Sequence, residues 1–588
     1  MLVCVTTRAP CGQPFGSNAS AGKARKHSRL RLRPSLRRRA SLPAAVSIDP
    51  VSLVQETLPG LPELSHTRQV FPRSDFEKGD VELQKLLDGL DLPGMGVFPR
   101  PHHYPEGWPE LETLTPKRGF PVYVMLPLDT VWLADRDGHK VSVVKQEQAL
   151  QAGLQMLKKA GVEGVMIDVW WGIVEHAGPQ QYDFSAYQRL FATAAKAGLK
   201  IQAVMSFHAA GGNVGDTCKI SLPSWISDIG DSNPDIYYTD KQGYRNRECL
   251  SLGCDTEPLF RGRTPVDMYR DFISAFADTF DDLAGSKLVE VTVGLGPAGE
   301  LRYPAYPEGD GRWRFPGVGE FQCYDKYMMQ SLKQAADAIG KPEWGIEGPH
   351  DCGDYNSPAW ETAFFVSSGG SWNTEYGHFF LSWYSGLLLQ HADRILAAAS
   401  EALSRPGRAR RATKALQGKN GEVTYVFEPA CQLGAKLAGV HWWFKSRAHA
   451  AELTAGYYNT RERNGYSPLM DVLKKYHTHL SFTCVEMRDC EHPPEGRCSP
   501  QGLLEQVITA STAAGIPLSG ENALQRYDQQ AFDRIAESAV GQSARQGRLQ
   551  QLTFLRMGDL MFDNWGAFTQ LLQRLQCVPQ CSPQIFNA

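Results

Sequence analysis

From Pro121 onward, short apolar runs and helical apolar patterns alternate three times in succession, and nothing else in the sequence narrows the fold as much. Val122-Tyr-Val-Met-Leu-Pro127 reads as a buried strand. Gln148 to Lys159 then sets Leu150, Leu154 and Leu157 at helical spacing and stops at Gly161. Gly164-Val-Met-Ile-Asp168-Val-Trp-Trp171 repeats the strand signal, a helix bearing Tyr187, Leu190, Phe191 and Ala194 ends at Gly198, and Lys200-Ile-Gln-Ala-Val-Met-Ser-Phe207 follows. Strands separated by helix-length crossovers pair in parallel. Five later runs carry the same signal: 288–294, Lys436 to Trp443, Leu480 to Glu486, Ile516 to Glu521 and Leu552 to Arg556. Eight such strands predict an α/β fold, a (β/α)8 (TIM) barrel, with long βα-loop insertions after strands 3 and 4 and a helix over Phe379 to Ala399 inside the second. Chemistry then belongs at the carboxyl ends of the strands.

The rival architecture, a doubly wound open sheet, wants a glycine-rich phosphate loop after an early strand. Gly-x-Gly-x-x-Gly occurs only at Gly294-Leu-Gly-Pro-Ala-Gly299, where Pro297 interrupts it, no helical pattern follows directly, and the acidic partner would have to be Glu320. A nucleotide site is therefore set aside.

Ahead of the barrel pattern, residues 49–120 are rich in Pro and Gly (Leu58-Pro-Gly-Leu-Pro62, Phe98-Pro-Arg-Pro101) and read as an extended arm or linker, with one short helix around Val81 to Leu87. Residues 121–588 read as the catalytic domain with a short C-terminal tail. Residues 1–48 hold ten Lys or Arg, among them Arg37-Arg38-Arg39, before the first acidic residue, Asp49. With their Ser, Ala and Pro content they have the make-up of an organelle transit peptide, for a chloroplast ahead of a mitochondrion if the source is photosynthetic. A secretory signal would need a continuous apolar core after its basic residues, and a nucleic-acid arm would interleave aromatics.

No run approaches the roughly 20 apolar residues that span a bilayer, so no membrane partner is expected. Residues 1–48 carry ten of the 61 basic residues and none of the 64 acidic ones, so the chain without them has a net charge of −13. Such a surface repels phosphate backbones, which argues against nucleic acid and for a neutral substrate. The thirteen cysteines stand singly, with no Cys-x-x-Cys pair, which suggests reduced thiols; no zinc-ligand spacing appears, and neither a metal nor a cofactor is expected.

Polar side chains recur where the predicted strands end: Asp168, His208, Glu300, His441, Thr483 with Glu486, Glu521 and Arg556. Trp170, Trp171, Trp225, Tyr303, Tyr306, Trp442 and Trp443 stand near them. Carboxylates among aromatics suit a sugar, whose ring offers apolar faces and a rim of hydroxyls. No Ser, Cys or Thr nucleophile motif, Walker loop or His-Glu-x-x-His helix is present, which leaves two carboxylates acting on a polyol, the chemistry of glycosidic hydrolysis. Glu300 (Pro-Ala-Gly-Glu300) and Glu521 (Ser-Gly-Glu521-Asn522) form the best pair, and Glu486 is a third candidate. One carboxyl must serve as acid and the other stay ionised; which does which, and whether the anomeric configuration inverts or is retained, the residues leave open.

At these positions the chain resembles the plant β-amylases, glycoside hydrolase family fourteen, from about Pro121 to about Asp559. His208-Ala-Ala-Gly-Gly-Asn-Val-Gly-Asp216 is similar to the family's first signature and Gly296-Pro-Ala-Gly-Glu300-Leu-Arg-Tyr-Pro-Ala-Tyr306 to its second. Asp168-Val-Trp-Trp-Gly172, His441-Trp-Trp443, Ala451 to Asn459 and Gly520-Glu-Asn-Ala523 extend the likeness. The resemblance implies an inverting exo-hydrolase that releases β-maltose from the non-reducing ends of starch and other α-1,4-glucans, with Glu300 as general acid and Glu521 as general base. It further implies that Asp168, His208 and Asp216 bind the sugar nearest the non-reducing end, Asp216 from a loop that closes, and that Lys436, His441, Thr483, Asn522, Ala523 and Arg556 bind further sugar units. Ala210 and Ala305 depart from the family's usual Cys and Ser, and neither position is needed for acid–base work. The alternative function is a glucan-binding or regulatory protein that keeps the cleft without turnover; a retaining glucosidase on the same barrel is a third reading. The oligomeric state is left open.

Overall fold

The computed structural model describes residues 119–578 apart from 214, 406–407, 409, 418–422 and 542–546, with backbone only across 410–417 and 423–429. The predicted transit peptide, the arm up to residue 118 with its short helix, and residues 579–588 of the tail lie outside the described residues.

Eight parallel strands close into a barrel in strict chain order. They are β1 (Val122–Met125), β2 (Gly164–Trp170), β3 (Lys200–Ser206), β4 (Leu288–Val293), β5 (Gln432–Leu437), β6 (His479–Phe482), β7 (Leu518–Glu521) and β8 (Gln551–Phe554). Closure runs through β1 and β8, where Tyr123 faces Thr553. Each strand is followed by a crossover helix: α1 (Glu147–Lys159), α2 (Ser185–Lys196), α3 (Pro265–Thr279), α4 (Glu375–Leu403), α5 (Ser467–Lys475), α6 (Pro500–Ala514), α7 (Gln529–Val540) and α8 (Trp565–Gln576). Local sequence sets their starts. Thr264 and Asp267 form a capping box at α3 with Pro265 in the first turn, and Ser499 and Asp528 cap α6 and α7.

Leu150, Leu154 and Leu157 of α1 and Tyr187, Leu190 and Phe191 of α2 are buried against the outer face of the barrel, as their spacing predicts. Each such side chain contributes about 1.5–3 kcal/mol of burial. Inside the barrel the packing is polar. Glu290 accepts from Gln202, Thr292 and His479, and His479 in turn meets Ser519 Oγ at 2.7 Å. Burial pushes the Glu290 carboxyl up, yet His479 and its other donors hold it below the ordinary glutamate range. Gly434 on β5 leaves the room: a Cβ there would lie 2.6 Å from both Glu290 Oε1 and Thr292 Oγ1.

The two long insertions fall after β3 and β4, as the sequence predicts. Strand ends differ most at β5, which stops at Leu437, so His441-Trp442-Trp443 is loop and not strand. The apolar run continues beyond the ladder because that loop is itself buried, and the left-handed φ of 60° at Trp443 ends the extended backbone. Likewise β6 ends at Phe482, two residues before Cys484 at φ 62°. Three antiparallel hairpins were not foreseen: 131–136 with 139–144, 237–239 with 245–250, and 410–417 with 423–429. The first turns on Asp137-Gly138, both at positive φ (55° and 79°), the combination a two-residue hairpin turn requires.

Candidate active site

All eight strand ends open into one cleft that is continuous with solvent. Its floor is apolar, where Met125, Val204 and Leu555 meet Met166 in a small cluster separate from the main core. Asp168, His208, Asp216, Glu300, Lys436, His441, Thr483, Glu521, Ala523 and Arg556 all line it, so ten of the eleven catalytic and sugar-binding residues that the resemblance implies share one space.

Asn522 is the exception. It is buried, its amide donates to Leu524 O and Leu555 O at 2.8 Å each, and its Oδ1 accepts from Leu555 N at 2.7 Å. With its side chain spent on backbone, Asn522 ties the β7 loop to the end of β8, beside Arg556. Glu486, the third carboxylate candidate, is also absent from the cleft lining. It accepts from Ala523 N at 3.0 Å and Leu524 N at 2.7 Å, and burial pushes its carboxyl up to about 7.

Glu300 follows a tight loop whose glycines are required. A Cβ on Gly296 would meet Glu300 O at 2.7 Å and Arg302 O at 2.8 Å, and Gly299 sits at φ 76°. Leu301 N donates to Lys436 O at 2.9 Å, joining this loop to β5. Glu300 Oε2 accepts from Arg302 Nε at 2.8 Å, and the Arg302 guanidinium lies 4.3 Å from the Tyr306 ring centre. Across the barrel mouth, Lys436 Nζ donates to Glu521 Oε2 at 2.8 Å, with the two side chains only 8% and 11% exposed. Each carboxylate thus has its own cation.

The other lining groups offer unspent hydrogen-bonding atoms. Asp168 Oδ1 accepts from Ser206 Oγ at 2.9 Å, while Oδ2 is buried without a partner, as are His208 Nδ1 and His441 Nε2. Burial raises the Asp168 carboxyl above its ordinary range. Both imidazoles are pushed down to about 3: His208 by burial with Lys436 and Arg302 nearby, His441 by burial with His492 nearby. They are therefore neutral at neutral pH, when one ring nitrogen donates and the other accepts. At His441, Nδ1 faces Gly439 O at 3.0 Å; a carbonyl only accepts, so Nδ1 carries the proton and the buried Nε2 is left with a lone pair. Trp170 and His208 meet edge to face at 5.2 Å, as do Tyr306 and Trp442 at 5.0 Å. Neutral imidazoles between aromatic walls, set among carboxylates and the cations that face them, form a site for a polyol.

Asp216 is half-buried, and its Oδ2 accepts from the backbone N–H groups of Gly211, Gly212 and Asn213 at 2.7–3.1 Å. Gly309 N donates to Gly212 O at 3.0 Å, so this loop and the one after Glu300 are tied together. At the two departures from the family pattern, the Ala305 side chain is fully buried and Ala210 bridges Ile220 through backbone alone.

Several supporting residues escaped sequence reasoning. Glu248 accepts from Asn213 Nδ2 at 2.7 Å and Ala298 N at 2.8 Å, and Ser206 orients Asp168. Arg302 was findable, since residues two apart in an extended segment share a side. Glu248 offered no signal, because its partners come from other loops.

The sequence profile described as glycosyl hydrolase family 14 matches residues 123–579. The chain is 50% identical over 461 residues to "Beta-amylase 2, chloroplastic" of Oryza sativa subsp. japonica, covering 78% of this chain and 77% of that one. It is 47% identical over 464 residues to "Beta-amylase 1, chloroplastic" of Arabidopsis thaliana, covering 78% and 76%. Among solved structures, the catalytic domain of a β-amylase from Paenibacillus polymyxa superposes with a TM-score of 0.58 at 30% identity, covering 77% of this chain and 97% of the other.

Proposed function

The chain belongs to glycosyl hydrolase family 14 and is a β-amylase-type exo-hydrolase of starch that releases maltose, and we propose that Glu300 and Glu521 carry out its acid–base chemistry with inversion at the anomeric carbon. The observation that carries this division is the unequal setting of the two carboxylates. Glu521 is tied to the ammonium of Lys436, which suits a base that must stay ionised to take a proton from water. Glu300, at 19% side-chain exposure, is the more open of the two, and its guanidinium partner also faces the Tyr306 ring; with Glu521 as the base, Glu300 takes the acid role and hands its proton to the departing sugar oxygen. The leaving bond is the glycosidic C–O; water supplies the new C–O bond on the opposite face, and its proton passes to Glu521.

The unpartnered atoms of Asp168, His208 and His441 hold the glucan hydroxyls, and Asp216, Thr483, Ala523 and Arg556 complete the sugar contacts. Asn522 acts through the backbone it anchors. The relatives named chloroplastic support placement in the plastid, with residues 1–48 as the transit segment ahead of a catalytic domain from residue 121. Among the described residues no helix is long and apolar enough to cross a membrane.

Proton NMR of the first maltose released from soluble starch tests the inversion: β-maltose is expected, and initial α-maltose sinks it. Glu300→Gln and Glu521→Gln are each expected to abolish turnover while maltooligosaccharide binding persists; near-normal rates in either would refute that residue's role. A reporter fused to residues 1–60 tests the address.

A further inference from the structure

At one rim of the cleft, the loops after β5 and β6 bring together three side chains that no catalytic step above requires to be near one another. His441, His492 and Cys498 each present one ligand atom, and these atoms lie within 4.8 Å of one another. The two imidazole rings are 4.6 Å apart, centre to centre. The Nε2 atoms of both histidines are buried without a partner, and Cys498 is in no disulfide. The sequence expectation of no metal rested on cysteine spacing, and such a set is invisible to spacing because two different loops supply it.

The loops hold this set in place. Trp443 N donates to Gly496 O at 2.8 Å, Lys445 N to Arg497 O at 2.9 Å and Ser499 N to His441 O at 2.9 Å, so the backbones carrying His441 and Cys498 are laced together. Lys445 and Ser499 both reach Asp489, at 2.9 and 2.8 Å, closing the same turn from outside. His441 already has the orientation that metal-bound imidazoles adopt, one ring N–H given to a backbone carbonyl and the other nitrogen left as a lone pair.

We propose that His441, His492 and Cys498 form a binding site for a borderline-soft divalent cation of the zinc class, and that ion and glucan exclude one another at His441. Two imidazoles and one thiolate are the donors such ions select over magnesium or calcium. Zn–N and Zn–S bonds of about 2.0–2.3 Å draw ligand atoms to roughly 3.5 Å apart, so the set closes with side-chain movements of about 1 Å. On binding, the Cys498 thiol releases its proton to solvent and water fills the fourth position. The exclusion half rests on the reading of His441 as a glucan contact, because His441 Nε2 cannot serve metal and hydroxyl at once.

Calorimetric titration of the reduced, metal-free full chain with zinc chloride tests the site directly. One zinc ion per chain is expected, with binding weakened about 100-fold or more in both His492→Ala and Cys498→Ser, and with one sulfur ligand in the zinc absorption edge. Equal binding by wild type and both variants, or an edge without sulfur, overturns the site. Zinc is further expected to slow maltose release by the wild type and not by Cys498→Ser, whose rate without zinc stays near normal. Sulfur-ligated zinc that leaves the wild-type rate untouched would refute the exclusion, and with it the role of His441 in glucan binding, while the metal site itself stood.

Discussion

Replacing Lys436 with Met keeps an unbranched side chain and removes the ammonium to which Glu521 is bonded. The pair is 2.8 Å apart, with side chains 8% and 11% exposed, so Glu521 would be left a nearly buried charge without compensation. Stripping one partner from a buried ion pair costs about 3–5 kcal/mol, whereas neutralising both costs far less. The lower end applies here, because the pair faces a cleft that water enters. Lys436→Met is thus expected to lose about 3 kcal/mol of stability, Glu521→Gln a comparable amount through the orphaned ammonium, and the double variant about 1–3 kcal/mol less than the sum. Denaturant unfolding of the four proteins measures that cycle, and starch hydrolysis by Lys436→Met is expected to fall sharply because the base loses its fixed position. Additivity to within about 0.5 kcal/mol would refute the reasoning, since it would mean that the contact does not hold Glu521.

Three further expectations follow from buried groups. His208 and His441 are pushed down to about 3, so the unfolded chain, with histidines near 6.5, binds protons that the folded chain refuses between those values. Stability is therefore full above pH 6.5 and falls as pH drops toward 3; His208→Gln or His441→Gln should flatten that slope by about 1.4 kcal/mol per pH unit in unfolding measured against pH. Gly434→Ala should cost about 1–3 kcal/mol, because its Cβ would press into Glu290 and Thr292, and an unchanged unfolding midpoint would show that the network yields freely. Asn522→Ala should lower affinity for maltooligosaccharide, through loss of its grip on Leu555 beside Arg556, with no change in product anomer; unchanged KM would count against that anchor.

The barrel was legible because burial imposes periods. Strand runs such as Gly164–Trp170 and helix faces such as Leu150, Leu154 and Leu157 repeat with the spacing that burial requires. Strand ends were less legible. Leu437 and Trp443 are both buried, so hydrophobicity runs on after the hydrogen-bond ladder stops. The hairpin at Asp137-Gly138 carried a turn signal, but its strands are half exposed, so no buried apolar run marks them. Asp168, His208, Thr483, Glu521 and Arg556 were legible because each is a polar group that breaks an apolar run in or just past a strand, whereas Asp216, Lys436 and Ala523 came only with the family resemblance.

Residues that position the site follow another rule, best seen in two glutamates. Glu248 gives its carboxylate to Ala298 N, two residues before Glu300, and Glu486 gives its own to Ala523 and Leu524 N, just after Glu521. Burial raises both carboxyls, a cost that backbone amides only partly offset. Each is thus a destabilising burial whose return is a loop held in one conformation beside one of the two candidate carboxylates. Glu486 drew notice in the sequence as a charged group closing an apolar run, which the structure places four residues past the end of β6, yet the identity of its partners decides its role. An amide-bonded carboxylate fixes a loop, whereas one facing the cleft is free to exchange a proton, and only the fold distinguishes the two.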